Sequence, residues 1–266
     1  MVDTQAEDWV NDLLLSVVGL AREAGQAILT LYSEVNQAVE YKRDDSPLCQ
    51  ADLASHHVIL DGLTRLRPEW PVLSEESEEI PFDRRSSWRY FWMVDPLDGT
   101  KEFLHRNGEF TVNIALMDGS VPILGVVYAP ALDTMYFAAK GAGAWKSDGK
   151  TTLRIRAASP AKSAPRVMVS RSHQVGEEVE EVLKRLTGDS GGCEFIPMGS
   201  SLKFCLLAEG AADIYPRTGP TMEWDTAAAH CILEEAGGSV VALDGNAMLY
   251  NKRNLLNPGF VARACP

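Results

Sequence analysis

Apolar residues recur near the start of this chain with the period of a helix. Leu13, Val17, Leu20, Ala24, Ile28 and Leu31 fall three or four positions apart, which predicts one long amphipathic helix with a single buried stripe. A polar connector from Lys42 to Pro47 follows. A second helix is expected from about Ala51 to Leu66, stopped by Pro68. The period then changes to that of strands. One short apolar run leads into Glu75, and another, Phe91 to Val94, ends abruptly at Asp95. Runs over Thr111 to Met117, Ile123 to Ala129 and Thr134 to Ala138, with an Asp118-Gly119 turn between the first two, predict an antiparallel meander.

Beyond a stretch rich in Ala, Ser and Pro, Ala157 to Pro165, the pattern mixes. It predicts a strand at Arg166 to Ser170, helices at Glu177 to Leu186 and Ser201 to Ala208, and a strand at Ala212 to Tyr215. A helix then opens at Asp225 and stops at Gly237, followed by a strand near Ser239 to Leu243. The expected organisation is mixed: an α+β half over residues 1–160 and a smaller α/β half over residues 161–266.

Composition narrows the possible partners. A length of 266 residues with 45% hydrophobic content suits a globular chain with a large core. The net charge of −12 argues against a nucleic-acid or general membrane-surface binder, because the overall field repels polyanions. An anionic small-molecule substrate would need local cations to invert that field. The cysteines, Cys49, Cys193, Cys205, Cys231 and Cys265, are odd in number and form no C-x-x-C pair. They are expected to be reduced thiols of a cytoplasmic protein, with Cys205 and Cys231 in the core. Asp3, Glu7 and Asp8 precede the first apolar run, unlike the basic start of a signal peptide. No apolar stretch is expected to reach the ~18 residues of a membrane span, although peripheral contact with the inner membrane face stays open.

The candidate chemistry lies in Trp92-Met93-Val94-Asp95-Pro96-Leu97-Asp98-Gly99-Thr100. Two carboxylates on a proline-stiffened turn at a strand end suit a hard cation such as Mg²⁺. The plainer alternative is an Asx-type turn in which the aspartates bond their own backbone. Asp225, in Glu223-Trp224-Asp225-Thr226-Ala227, taken alone reads as a plain helix N-cap. Glu75-Glu76 alone reads as a solvated loop, and Asp52 as a cap near Pro47.

Taken together, the Glu75-Glu76, Asp95-to-Thr100 and Trp224-to-Ala228 segments resemble the inositol monophosphatase superfamily of Mg²⁺-dependent phosphatases. The 107–116, 122–130, 170–173, 199–204, 215–217 and 256–260 segments resemble, more narrowly, its 3′(2′),5′-bisphosphate nucleotidase branch. The resemblance implies a layered α-β-α-β-α sandwich with the active site between its halves. It implies two or three Mg²⁺ ions held by Glu75, Asp95, the Leu97 carbonyl, Asp98 and Asp225, and inhibition by Li⁺. Asp52 and Thr100 would activate water. Gly99, Thr100, Ser170, His173, Gly199, Lys203 and Asp225 would meet a nucleotide, with Arg217 added because it lies close to Asp225 in sequence. Cys49 stands where the family usually has Thr.

The expected reaction removes the 3′-phosphate of adenosine 3′,5′-bisphosphate. Two alternatives accompany it: an inositol or sugar monophosphatase, and a non-catalytic nucleotide sensor on the same scaffold. A haloacid-dehalogenase-type phosphatase is disfavoured, because it needs D-x-D spacing and Asp95 and Asp98 stand three apart. Oligomeric state, monomer or homodimer, is left open.

Overall fold

In the computed structural model, the described residues are 5–34, 47–158, 164–171, 176–188 and 192–265. Most of the Lys42 connector, the middle of the Ala157–Pro165 stretch and His173 lie outside them. The first helix, α1 (Gln5–Glu34), packs beside α2 (Pro47–Leu66), which starts one turn earlier than expected, with proline in its first turn. By length and composition Trp9–Ser33 could cross a membrane, contrary to expectation. Its stripe of Leu13, Val17, Leu20, Ala24 and Ile28 is instead buried in the core.

Among the described residues, a seven-stranded sheet runs in chain order. Its strands are β1 (Val72–Ser74), β2 (Tyr90–Asp98), β3 (Thr111–Asp118), β4 (Val121–Ala129), β5 (Thr134–Ala139), β6 (Gly143–Ser147) and β7 (Thr152–Ile155). The meander from β2 onward is antiparallel, as expected, whereas β1 pairs parallel to β2. Short helices α3 (Phe82–Arg85) and α4 (Thr100–Leu104) flank β2. The sequence pattern did not reveal β6 and β7. Half-buried Lys146 and exposed Leu153 and Arg154 blur their alternation toward the sheet edge.

The apolar runs are continuous because both faces of this sheet are covered. Trp92, Val94, Ile114 and Val126 face α1 and α2, while Phe91, Met93, Ala115 and Val127 face the opposite core. That second core is shared with α6 (Leu202–Ala208) and α7 (Ala227–Glu235). At Gly125 of β4 an added Cβ would come 2.1 Å from the Ala228 carbonyl oxygen, so only glycine lets α7 pack this closely.

The second sheet has the order β11-β12-β10-β8-β9. It contains β8 (Arg166–Ser170), β9 (Glu194–Met198), β10 (Ile214–Arg217), β11 (Ser239–Ala242) and β12 (Phe260–Arg263). Helix α5 (Glu177–Thr187) packs on β10, outside the shared core. The layers are therefore α1/α2, sheet, α6/α7, sheet and α5. Strands β9 and β12 were not expected. In β9 the apolar Phe195 is itself exposed, so the strand's pattern carries no buried face.

Candidate active site

Strand β2 does not stop at Asp95. Its register against β3 passes from Asp95↔Asn113 to Asp98↔Thr111, so β2 spends one more residue than its partner on the interval. This bulge accommodates Pro96, which cannot donate to the ladder. Asp95 Oδ1 accepts the Leu97 N–H at 3.1 Å, so the Asx-type turn is present. The Asp95 side chain is only 1% exposed and also meets the Glu75 carboxyl. Gly99 then takes φ +98°, a left-handed conformation that turns the chain from β2 into α4 and places Thr100 at its start.

Two neighbours hold this corner. From α2, Ser55 Oγ donates to the Pro96 carbonyl at 2.8 Å, and His56 Nδ1 lies 2.9 Å from Ser74 Oγ, next to Glu75. All three side chains are buried. Asp52 shares their helix face, in the second turn of α2, so it does not cap the helix. From the other side, Ser201 N–H donates to Asp98 Oδ2 at 2.6 Å, and Ser201 Oγ bonds Asn113 and Thr111.

Asp225 reaches the same place from the five-stranded side. Helix α7 begins only at Ala227, and its N-cap residue Thr226 makes no side-chain cap bond. The expected N-cap role for Asp225 is not realised. Its Oδ2 accepts the Met222 N–H at 2.9 Å, within a turn that precedes the helix. Remote chain anchors that turn. Fully buried Glu223 accepts from the N–H groups of Asn251 and Lys252 and pairs with the Lys252 ammonium. Asn257 donates to the Met222 carbonyl at 2.8 Å and to Thr226 Oγ1 at 3.0 Å.

Glu75, Asp95, Leu97, Asp98, Gly99, Thr100, Ser170, Lys203, Arg217 and Asp225 line one cavity of about 280 Å³. Gly199 and Asp52 lie outside that lining. Gly199 donates its N–H to Glu109 at 2.8 Å, behind Glu102. The carboxylates crowd one another. Burial, then the charges of Asp98, Glu75, Asp225 and Asp52, raise the Asp95 pKa well above the usual range. Burial and the Asp98 charge push Asp225 up to about 8. Burial, with Glu76 and Glu75 nearby, pushes Asp52 up to about 8. Asp98 is also raised by burial, with Lys203 and the Ser201 N–H opposing. Glu75 keeps an exposed edge, yet desolvation and the Asp98 charge raise it too.

Among the described residues, no three acidic, His or Cys side chains are gathered closely enough to chelate an ion as they stand. The donor set nevertheless fits a hard divalent cation. Four carboxylates, Glu75, Asp95, Asp98 and Asp225, line one small cavity, and added positive charge would relieve the repulsion that raises their pKa values.

Lys203 forms part of the floor, 5% exposed, with Nζ donating to the Ser200 and Met198 carbonyls at 2.6 and 3.3 Å. Burial pulls its pKa down to about 8, opposed by the Asp98 charge. Arg217 turns Nε and one terminal nitrogen back to the Gly219 and Pro220 carbonyls, at 3.2 and 3.0 Å. Sequence reasoning missed Lys101 and Glu102, which also line the cavity, and the supporting Ser55, His56 and Glu223. The i, i+3, i+4 spacing of Asp52, Ser55 and His56 was the one signal available for the α2 pair. Nothing local marked Glu223, whose partners lie nearly thirty positions away.

The inositol monophosphatase family profile matches residues 9–264, and the chain belongs to that family. Several of its likenesses are narrower. It is 49% identical over 253 residues to the 3′(2′),5′-bisphosphate nucleotidase CysQ of Salmonella typhimurium, covering 93% of this chain and 98% of the relative. It is 49% identical over 252 residues to CysQ of Escherichia coli, with the same coverage. The crystal structure of CysQ from Bacteroides thetaiotaomicron superposes with a TM-score of 0.85 at 41% identity, covering 95% of this chain and 97% of that one.

Proposed function

We propose that this chain is a Mg²⁺-dependent nucleotidase that hydrolyses the 3′-phosphate of adenosine 3′,5′-bisphosphate to give AMP and phosphate. The observation that carries this is the convergence of Glu75, Asp95, Asp98 and Asp225, from both sheets, on one cavity with cations in its wall. The names of the relatives at 49% identity support the nucleotide as substrate over an inositol phosphate.

Glu75, Asp95, the Leu97 carbonyl, Asp98 and Asp225 would hold the ions, which supply charge neutralisation at the phosphoryl oxygens and acidify an attacking water. The residues themselves do the rest. The stiff 95–100 corner presents Gly99 and Thr100 to the reacting phosphate. The Thr100 hydroxyl orients the water, and Asp52, whose buried Oδ1 has no hydrogen-bond partner among the described residues, takes up the water's proton. Water oxygen bonds to phosphorus as the P–O3′ bond breaks with its electron pair on O3′, which takes a proton from solvent, while Asp52 returns its proton to solvent. Ser170, Arg217 and one remaining Lys203 proton face the substrate, with Gly199 shaping the turn beneath. The His173 position lies outside the described residues. Residues 1–160 and 161–266 act as the two halves that bring these groups together. Free thiols at Cys193, Cys205, Cys231 and Cys265 support a reducing, cytoplasmic setting.

The test is a side-by-side assay of adenosine 3′,5′-bisphosphate and myo-inositol 1-phosphate under saturating Mg²⁺. A higher kcat/KM for the bisphosphate is expected. Preference for the inositol phosphate would overturn the assignment.

A further inference from the structure

The proposed substrate carries two phosphates, and the carboxylate cluster accounts for only one. The second is a dianion entering a cavity rich in acidic side chains, on a protein of net charge −12. It needs a cation with free donors within that cavity. Lys203, Arg217 and Lys101 are the Lys and Arg side chains among the lining residues. Lys203 is buried, gives two of its protons to main-chain carbonyls and has its charge acting on Asp98. Arg217 spends Nε and a terminal nitrogen on its own loop. Lys101 differs from both. It is exposed, lies one residue beyond Thr100, and makes no side-chain hydrogen bond or ion pair among the described residues.

We infer that Lys101 is a specificity-determining residue whose ammonium receives the substrate's non-reacting 5′-phosphate. This rests on the nucleotidase assignment and extends it. The reacting phosphate lies against the 95–100 corner, so a side chain leaving α4 immediately after Thr100 borders that phosphate's site and extends toward solvent. A flexible lysine stem suits this role, because it follows a phosphate at the open end of the cavity without the fixed geometry of a buried contact. The contact is made only by substrates that carry the second phosphate. Lys101 therefore discriminates between bisphosphates and monophosphates without taking part in bond cleavage.

The experiment compares adenosine 3′,5′-bisphosphate with 3′-AMP, which keeps the reacting phosphate and lacks the other, in the wild-type enzyme and in Lys101→Ala, Lys101→Arg and Arg217→Ala. Lys101→Ala is expected to lower kcat/KM for the bisphosphate roughly ten-fold or more, mainly through KM. It should leave 3′-AMP within about two-fold of wild type. Lys101→Arg should retain most of the preference, because it keeps the charge. Equal loss on both substrates would assign Lys101 to the reacting phosphate or to the fold, and would overturn the inference. So would no loss on either substrate, or a bisphosphate-selective loss in Arg217→Ala but not in Lys101→Ala. A wild-type enzyme that hydrolyses neither nucleotide would remove the nucleotidase assignment and this inference with it.

Discussion

Asp95 and Asp225 line the same cavity, but the turns that carry them are held in different ways. Asp95 stands on a bulged strand, bonded by its own turn at Leu97 and braced by Ser55 one helix away. Asp225 sits in a turn whose position depends on chain far along the sequence, through Glu223 with Asn251 and Lys252, and through Asn257. Each carboxylate accepts an N–H of its own turn, but the Asp95 turn continues a paired strand, whereas the Asp225 turn is fixed through the side chains of Glu223 and Asn257. A local motif can name a ligand, but a remote network decides whether that ligand arrives.

The strongest way to break the comparison is at its rigid end. Asp95→Asn should lower kcat by about 10³-fold or more, since it removes a charge from the cation site. It should keep the fold, because losing a repelled, buried charge does not destabilise the cluster. Turnover assays at excess Mg²⁺ beside a melting curve check both points, and near-normal turnover in a folded variant would exclude Asp95 as a ligand.

Next come Thr100→Ala and Asp52→Asn. Each should reduce kcat by about 10²-fold with little change in KM, within the range expected for a lost proton-transfer group. If the two form one relay, the double variant should fall far short of the product of the single effects. Additive losses in activation free energy would separate their roles.

Glu223→Gln probes the remote end. The amide cannot serve all the donors that the carboxylate serves, so the 222–226 turn should loosen. The Mg²⁺ concentration for half-maximal activity should rise by roughly ten-fold, as a partly lost charged hydrogen bond allows. If that concentration stays unchanged while the melting temperature falls, Glu223 supports only the fold.

The smallest effect sharpens both ends at once. Raised folded-state pKa values for Glu75, Asp95 and Asp98, and values near 8 for Asp52 and Asp225, mean that the folded protein binds more protons than the unfolded chain. This stabilisation is complete below the ordinary carboxylate pKa of about 4 and is lost as pH rises toward about 8. Metal-free protein should therefore melt lower at pH 8 than at about pH 5, and Mg²⁺ should flatten the slope. A metal-free melt that rises over this range would contradict the crowding of the carboxylates.

The same contrast explains what could be read from the sequence. The 92–100 segment concentrates strand, turn, carboxylates and hydroxyl in nine positions, so its chemistry is visible there, though not the bulge that continues β2 to Asp98. Asp225 looked like a helix cap because the contacts of Glu223 and Asn257 that fix the turn before the helix join distant stretches of chain. Strands β6, β7, β9 and β12 went unseen for a related reason. Strands β7 and β9 stand at sheet edges with exposed residues and lose the alternation that marks a half-buried strand. Strand β12 is short, and its hydrogen-bonded neighbours come from β10 and β11 rather than from a hairpin beside it.

The most direct measurement follows phosphate release from adenosine 3′,5′-bisphosphate by chelator-treated protein as Mg²⁺ is added back, with the product identified by ³¹P NMR. Turnover should be absent without metal, rise with Mg²⁺, and yield AMP that retains its 5′-phosphate. Undiminished turnover in the presence of chelator, or a product that has lost the 5′-phosphate instead, would contradict a cation-dependent site built to cleave at the 3′ position.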